Sequence, residues 1–233
     1  MTRARRAAFA AAALIVAACL AALGIWQVER RAWKHELIAA VDARIHTPPV
    51  AAPGPGEWPS INAKDDAYRR VNASGHFRHD RETLVQAVTE RGAGYWVLTP
   101  LETPDFTLLV NRGFVPKERS AAAARAAGNP SEEVKVTGLL RVTEPGGAFL
   151  RANDPAANRW YSRDVAAIAK ARGLARTAPY FVDADAAPNR GGYPVGGLTV
   201  VRFPDNHLVY ALTWFALCVL SLFFAWRLWR IRD

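Results

Sequence analysis

Two uninterrupted apolar runs limit what this chain can become. Ala7 to Trp26 and Leu208 to Trp226 contain no charged residue. At a helical rise of about 1.5 Å per residue each covers roughly 28–30 Å, the thickness of a bilayer's hydrocarbon core. Both are expected to be spanning helices. The 233 residues leave room for one domain of ordinary size between them. The expected order is a tail (1–6), a first transmembrane helix (7–26), an α+β domain (27–206), a second transmembrane helix (207–226) and a tail (227–233).

Charge sets the orientation. Arg3, Arg5 and Arg6 precede the first run, and Arg227, Arg230 and Arg232 follow the second. Positive flanks are held in the cytoplasm, so both termini are expected there and the domain on the outer face. No Arg-rich amphipathic presequence precedes the first helix, which points to a bacterial plasma (inner) membrane and a periplasmic domain. Val16-Ala-Ala-Cys19 looks like a lipoprotein cleavage box, but the apolar run continues from Leu20 to Trp26, so cleavage would leave a hydrophobic stub. The formal net charge is +9. Setting aside those six arginines and Asp233 leaves 24 basic against 20 acidic residues, without a basic stripe, so no nucleic-acid partner is expected.

Cys19 and Cys218 lie within the apolar runs, and Met1 is the only methionine. The middle can therefore form no disulfide, thiolate metal site or copper relay.

His46 to Ser60 holds five prolines and reads as an extended linker. After it, alternation predicts strands at 69–77, 82–89, 95–101, 107–115, 133–142, 158–163 and 179–184, then a loop at 191–197 and a segment, 198–203, that leads into the second membrane helix. Short helices are expected from Pro116 to Gly128 and from Val165 to Arg172, the second capped by Asp164 and ended by Gly173. The expected fold is a curved antiparallel sheet, open to closure as a small barrel, with two short helices.

Signals for catalysis are poor. No serine sits in Gly-x-Ser-x-Gly, no phosphate loop occurs, and strand alternation separates His76 from His79. A non-enzymatic role is expected. Arg112 ends an apolar strand and could hold a carboxylate or propionate bidentately, or pair with an acid such as Glu102. His207, Tyr210, Ala211 and Trp214 recur at helical spacing on one face of the second membrane helix. His207 reads either as an interfacial histidine bonded to backbone or headgroup, or as an axial haem ligand beside an aromatic wall. Trp26, Arg30, Trp33 and Leu37 form another stripe, read either as an aromatic belt or as a wall facing His207. His35 is placed about two turns beyond Trp26, too far out to join it.

Six blocks in order carry a resemblance: Gly24-Ile-Trp-Gln-Val-Glu-Arg-Arg-Ala-Trp-Lys, Gly75-His-Phe, Gly94-Tyr-Trp-Val-Leu-Thr-Pro-Leu, Leu109-Val-Asn-Arg-Gly-Phe-Val-Pro, Tyr193-Pro-Val-Gly-Gly and Asn206-His-Leu-Val-Tyr-Ala-Leu-Thr-Trp-Phe. The chain resembles the Surfeit-locus (Shy-type) family of cytochrome c oxidase assembly factors. The resemblance implies two spanning helices around an extracytoplasmic domain, and delivery or insertion of haem a into the catalytic subunit of a haem-copper oxidase. Its implied partners are the nascent catalytic subunit, other assembly factors and the lipid bilayer. It also implies that His207 contacts the haem. The alternative is a haem-independent membrane chaperone that stabilises an oxidase assembly intermediate. A haem-modifying enzyme would call for more histidines at membrane depth.

Overall fold

The structure, a computed structural model, describes residues 2–148, 150–199, 201, 203 and 205–230. In chain order its elements are α1 (Arg3–His46), β1 (Val50–Ala51), β2 (Arg70–Phe77), β3 (Thr83–Thr89), β4 (Gly92–Glu102), β5 (Thr107–Pro116), β6 (Val134–Val142), α2 (Val165–Arg172), β7 (Thr177–Ala184) and α3 (His207–Arg230). The chain divides into two compact units, residues 41–200 and residues 1–40 with 201–233. Each is described by itself.

Residues 41–200 are built on a sheet that closes. The strand order is β1-β2-β6-β7-β5-β4-β3, and β2 also pairs with β4 through His76↔Glu102 and Phe77↔Leu101. β2, β6, β7, β5 and β4 thus form a five-stranded ring, with β1 and β3 paired along the remaining lengths of β2 and β4. The closing contact needs a bare backbone. A Cβ on Gly75 would stand 2.1 Å from the carbonyl oxygen of Glu102, so only glycine admits this approach.

The sheet is mixed rather than antiparallel as expected, because β7 runs parallel to β5 and β1 parallel to β2. No hairpin joins β6 to β7. The connection between them, residues 143–176, carries α2, although β6 and β7 are antiparallel neighbours; directions cannot alternate all the way round a closed ring of five strands, so one neighbouring pair, β5 and β7, runs parallel. A strand flanked on both edges and packed on both faces is buried along its length and mostly apolar. In β5 every residue from Thr107 to Val115 is buried, and the polar Asn111 and Arg112 are hydrogen-bonded to Asp183 and Asn129.

Alternation divides the interior in two. Val71, Leu101, Leu108, Val110, Leu140, Tyr180 and Val182 pack as one cluster. The opposite-facing Leu98, Leu109 and Phe181 join Val85, Trp160, Val165 and Ile168 in a second, under α2. α2 begins and ends where the sequence predicts. Asp164 accepts from the Ala167 amide at 3.1 Å, and Gly173 takes the left-handed conformation, φ 61°.

Other expectations need correction. The segment expected as a free linker is fastened down: the Pro53 carbonyl accepts from Tyr180 Oη at 2.7 Å and from Trp58 Nε1 at 3.1 Å, while Val50–Ala51 pairs with β2. Pro116 to Gly128 forms 3₁₀ turns at Lys117–Arg119 and Ala122–Gly128, not one helix. Arg125 breaks the second, at φ −137°; so short a segment gains little from helix propagation, and burial of the Arg125 guanidinium against Glu82 sets its path instead. Residues 158–163 make only the bridges Val85↔Trp160 and Asp154↔Arg159. Val200 and Arg202 of the segment leading into the second helix, and Arg232 of the expected tail, lie outside the described residues.

Candidate functional site

In the other unit, α1 and α3 are each long and apolar enough to cross a membrane. Their surfaces are inverted relative to those of a soluble helix pair. Leu14, Ile15, Val209, Val219 and Phe223 are exposed, whereas the buried positions are small: Ala10, Ala13, Ala17 and Gly24 on α1, Ala211 and Ala225 on α3. Small residues at three- and four-residue spacing let two backbones approach closely where lipid offers no hydrophobic drive to association. Contacts fix the pair as antiparallel. Ser221 Oγ donates to the Ala13 carbonyl at 2.8 Å, and a Cβ on Gly24 would lie 2.5 Å from the ring of Phe215. His207 and Gln27 then meet at the polar end of both apolar runs, with Nδ1 of the imidazole 2.6 Å from Oε1 of the amide.

Asp205 ties this end together. Its Oδ1 accepts from the His207 backbone amide at 3.1 Å, and its Oδ2 lies 2.6 Å from His35 Nε2 and 3.5 Å from Arg31 Nε. The hydrogen bond with His35, more than any other contact, holds the Asp205 carboxyl below the usual carboxylate range. His35, expected to stand too far out, therefore shares one carboxylate with His207. Extending α1 unbroken past Trp26 and starting α3 only at His207 brings them to a common level.

The residues proposed from sequence separate into three groups. His207 and Trp214 are partly buried on the side of α3 that carries Ala211, and Trp214 Nε1 is buried without a hydrogen-bond partner among the described residues. Trp26 and Trp33 share the predicted stripe, with the Arg30 guanidinium 3.8 Å over the Trp33 ring, but they are 53% and 48% exposed, and Tyr210 is 53% exposed. The side of α1 that meets α3 presents Gln27 in their place.

Arg112 belongs to the five-stranded ring. Its guanidinium is buried, bonds the Gly128 carbonyl, Asn129 Oδ1 at 3.0 Å, Asn189 Oδ1 and His79 Nδ1 at 3.4 Å, and lies over the Phe77 ring. Burial pushes its pKa down to about 10, so it stays charged at neutral pH. Burial likewise lowers His79, whose Nε2 donates to the Pro130 carbonyl at 2.9 Å and leaves Nδ1 to accept from Arg112. Arg112 is thus a clamp on two loops; Glu102, its suggested partner, pairs with Arg78 at 2.7 Å instead.

Gln27, Asp205 and His35 were missed by sequence reasoning. A signal for Gln27 existed: Ala10, Ala13, Ala17, Gly24 and Gln27 fall on one three-and-four spacing, which Trp26 and Trp33 do not share. Among the described residues no three His, Cys, Asp or Glu side chains come together as a metal cage, whereas a haem iron can be held by a single protein imidazole. The donor set fits that use. His207 Nε2 has no hydrogen-bond partner among the described residues, and neutral imidazole is a haem ligand.

Comparison with known proteins covers most of the chain. A model of the SURF1 family matches residues 14–219. Surfeit locus protein 1 of Mus musculus is 37% identical over 222 residues, 88% of this chain and 70% of the relative. The Homo sapiens protein of that name is 36% identical over 213 residues, 84% of this chain and 69% of its own. A SURF1-like protein of Drosophila melanogaster is 31% identical over 234 residues, 92% of this chain and 75% of the relative.

Proposed function

The chain belongs to the SURF1 family, known for cytochrome oxidase assembly, and on that premise we propose that it assists haem a delivery into the catalytic subunit of a haem-copper oxidase without itself catalysing a reaction. The observation that carries this reading is the His207 imidazole, held by Gln27 through one nitrogen and open at the other. His207 would hold the iron through Nε2, with Trp214 beside it on α3. Bound there, haem a would supply the iron that this imidazole ligates. The chain's own contribution is a ring held in one orientation on a helix whose next nineteen residues carry no charge. Docking on the nascent catalytic subunit and on other assembly factors completes the proposal.

The test is an absorption spectrum of the full chain, purified in detergent after co-expression with haem a synthesis. The wild type is expected to carry haem a, and His207→Ala to lose it while keeping its helix content. Retention of the spectrum by the variant would dismiss His207 as the ligand. Oxidase maturation at the wild-type level in the His207→Ala strain would favour a chaperone that acts through protein contacts alone.

The charge flanks further support a topology with both termini in the cytoplasm and residues 27–206 on the outer face of a bacterial inner membrane. Reporter tags at either terminus should be protected in intact spheroplasts, and a tag within 185–192 should be accessible. The reverse pattern would overturn the orientation.

A further inference from the structure

We infer that Gln27 is a positioning residue for His207: by accepting a hydrogen bond from Nδ1–H it selects the ring tautomer whose Nε2 lone pair is free to bind a metal. The choice of tautomer stands on the geometry alone, while its use in haem binding rests on the reading proposed above. An amide oxygen can only accept a hydrogen bond. At 2.6 Å from Gln27 Oε1, Nδ1 of the neutral ring must therefore carry the hydrogen, and Nε2 is left bare. Metal-bound histidines usually donate the other ring N–H in this way to a carbonyl or carboxylate, which sets orientation and raises ligand basicity.

The surroundings explain why a neutral amide serves at this position. Asp205, the acid two residues ahead of α3, is engaged by the His207 backbone amide, by His35 and by Arg31, so it does not compete for the Nδ1 hydrogen. The first turn of α3 is held by that same carboxylate. Close approach of the helices at Gly24, one turn from Gln27, brings the amide within reach. Backbone and ring of His207 are thus fixed by separate partners, Asp205 for one and Gln27 for the other.

The experiment uses the full chain in detergent, with ¹⁵N-labelled histidine, at a pH where the imidazole is neutral; the His207 signals are assigned by their loss in His207→Ala. The wild type should show a protonated Nδ1 and a bare Nε2. Gln27→Leu should redistribute the proton towards Nε2, and Gln27→Glu, which keeps an acceptor, should restore the wild-type pattern. A Gln27→Leu spectrum unchanged at His207 overturns the inference.

Ferric haem titration adds a second readout. Gln27→Leu should weaken binding about 10-fold, within the range for lost outer partners of a metal ligand, while Gln27→Glu should bind and show a more negative midpoint potential than wild type. If His207→Ala binds haem as the wild type does, the haem reading fails and the tautomer spectra still decide the role of Gln27. If His207→Ala loses haem but Gln27→Leu keeps wild-type affinity and tautomer, Gln27 has no positioning role and the haem reading survives.

Discussion

Glu82→Ala is expected to lower the stability of the barrel unit by about 3–5 kcal/mol, the cost of removing one partner from a buried ion pair. The Arg125 side chain is completely buried and Glu82 is 11% exposed. The pair is bidentate, Nη1 to Oε2 at 2.9 Å and Nη2 to Oε1, and the remaining guanidinium donors reach the Arg119 and Ser120 carbonyls at 3.2 Å. Alanine would leave a desolvated cation with neutral acceptors only, at a distance from water that forbids easy rehydration. Replacing both partners removes the unpaired charge. Glu82→Leu with Arg125→Leu should therefore recover much of the loss, although the 3₁₀ turn at Ala122–Gly128 would lose what shapes it. Chemical denaturation of the full chain in detergent, followed by tryptophan fluorescence, reads both variants. A loss below about 1 kcal/mol for Glu82→Ala would mean that the pair behaves as a solvated one.

Asp183→Ala should be at least as damaging, because that carboxylate joins β7 to two neighbouring strands and two connecting segments. Asp183 is 3% exposed. It accepts from Asn111 on β5 at 2.7 Å, Arg141 on β6 at 2.9 Å, Arg163 at 3.2 Å and Thr199 at 3.0 Å. Two partly buried arginines would be left with Glu144 as their remaining acid. We expect a loss of about 3–5 kcal/mol, with greater proteolytic sensitivity near residues 193–199. Asp183→Asn keeps the shape but removes the charge and should fall between wild type and alanine. Wild-type stability in Asp183→Ala would show that Glu144 alone satisfies both arginines.

Much of the barrel was legible because strand alternation is a local property. All seven predicted strands start or end within a few residues of a strand or bridge in the structure, and α2 carried its boundaries in Asp164 and Gly173. What escaped was pairing. Nothing local to β7 distinguishes a parallel neighbour from an antiparallel one, so an antiparallel sheet was the natural expectation. The Ala-rich stretch 122–128 shows the opposite failure: its helix propensity is strong, but burying Arg125 against Glu82 outweighs what seven residues gain from a helix. At the site, His207 and Trp214 were recognisable from helical spacing. Gln27 was passed over because aromatic neighbours drew the reading, and His35 because distance along a helix axis is not distance to another helix.

The amino-acid sequence by itself determined the two apolar segments of membrane-spanning length, the cysteine-free middle, the strand periods and the family blocks, since each depends on residues near one another along the chain. Only the tertiary structure decided which strand closes the ring, which side of α1 meets α3, and which partner orients the His207 ring. Those are outcomes of packing between residues as far apart as 27 and 207. There, the absence of a side chain at Gly24 and the reach of one amide settle the geometry, and neither carries a signal until the two helices are brought together.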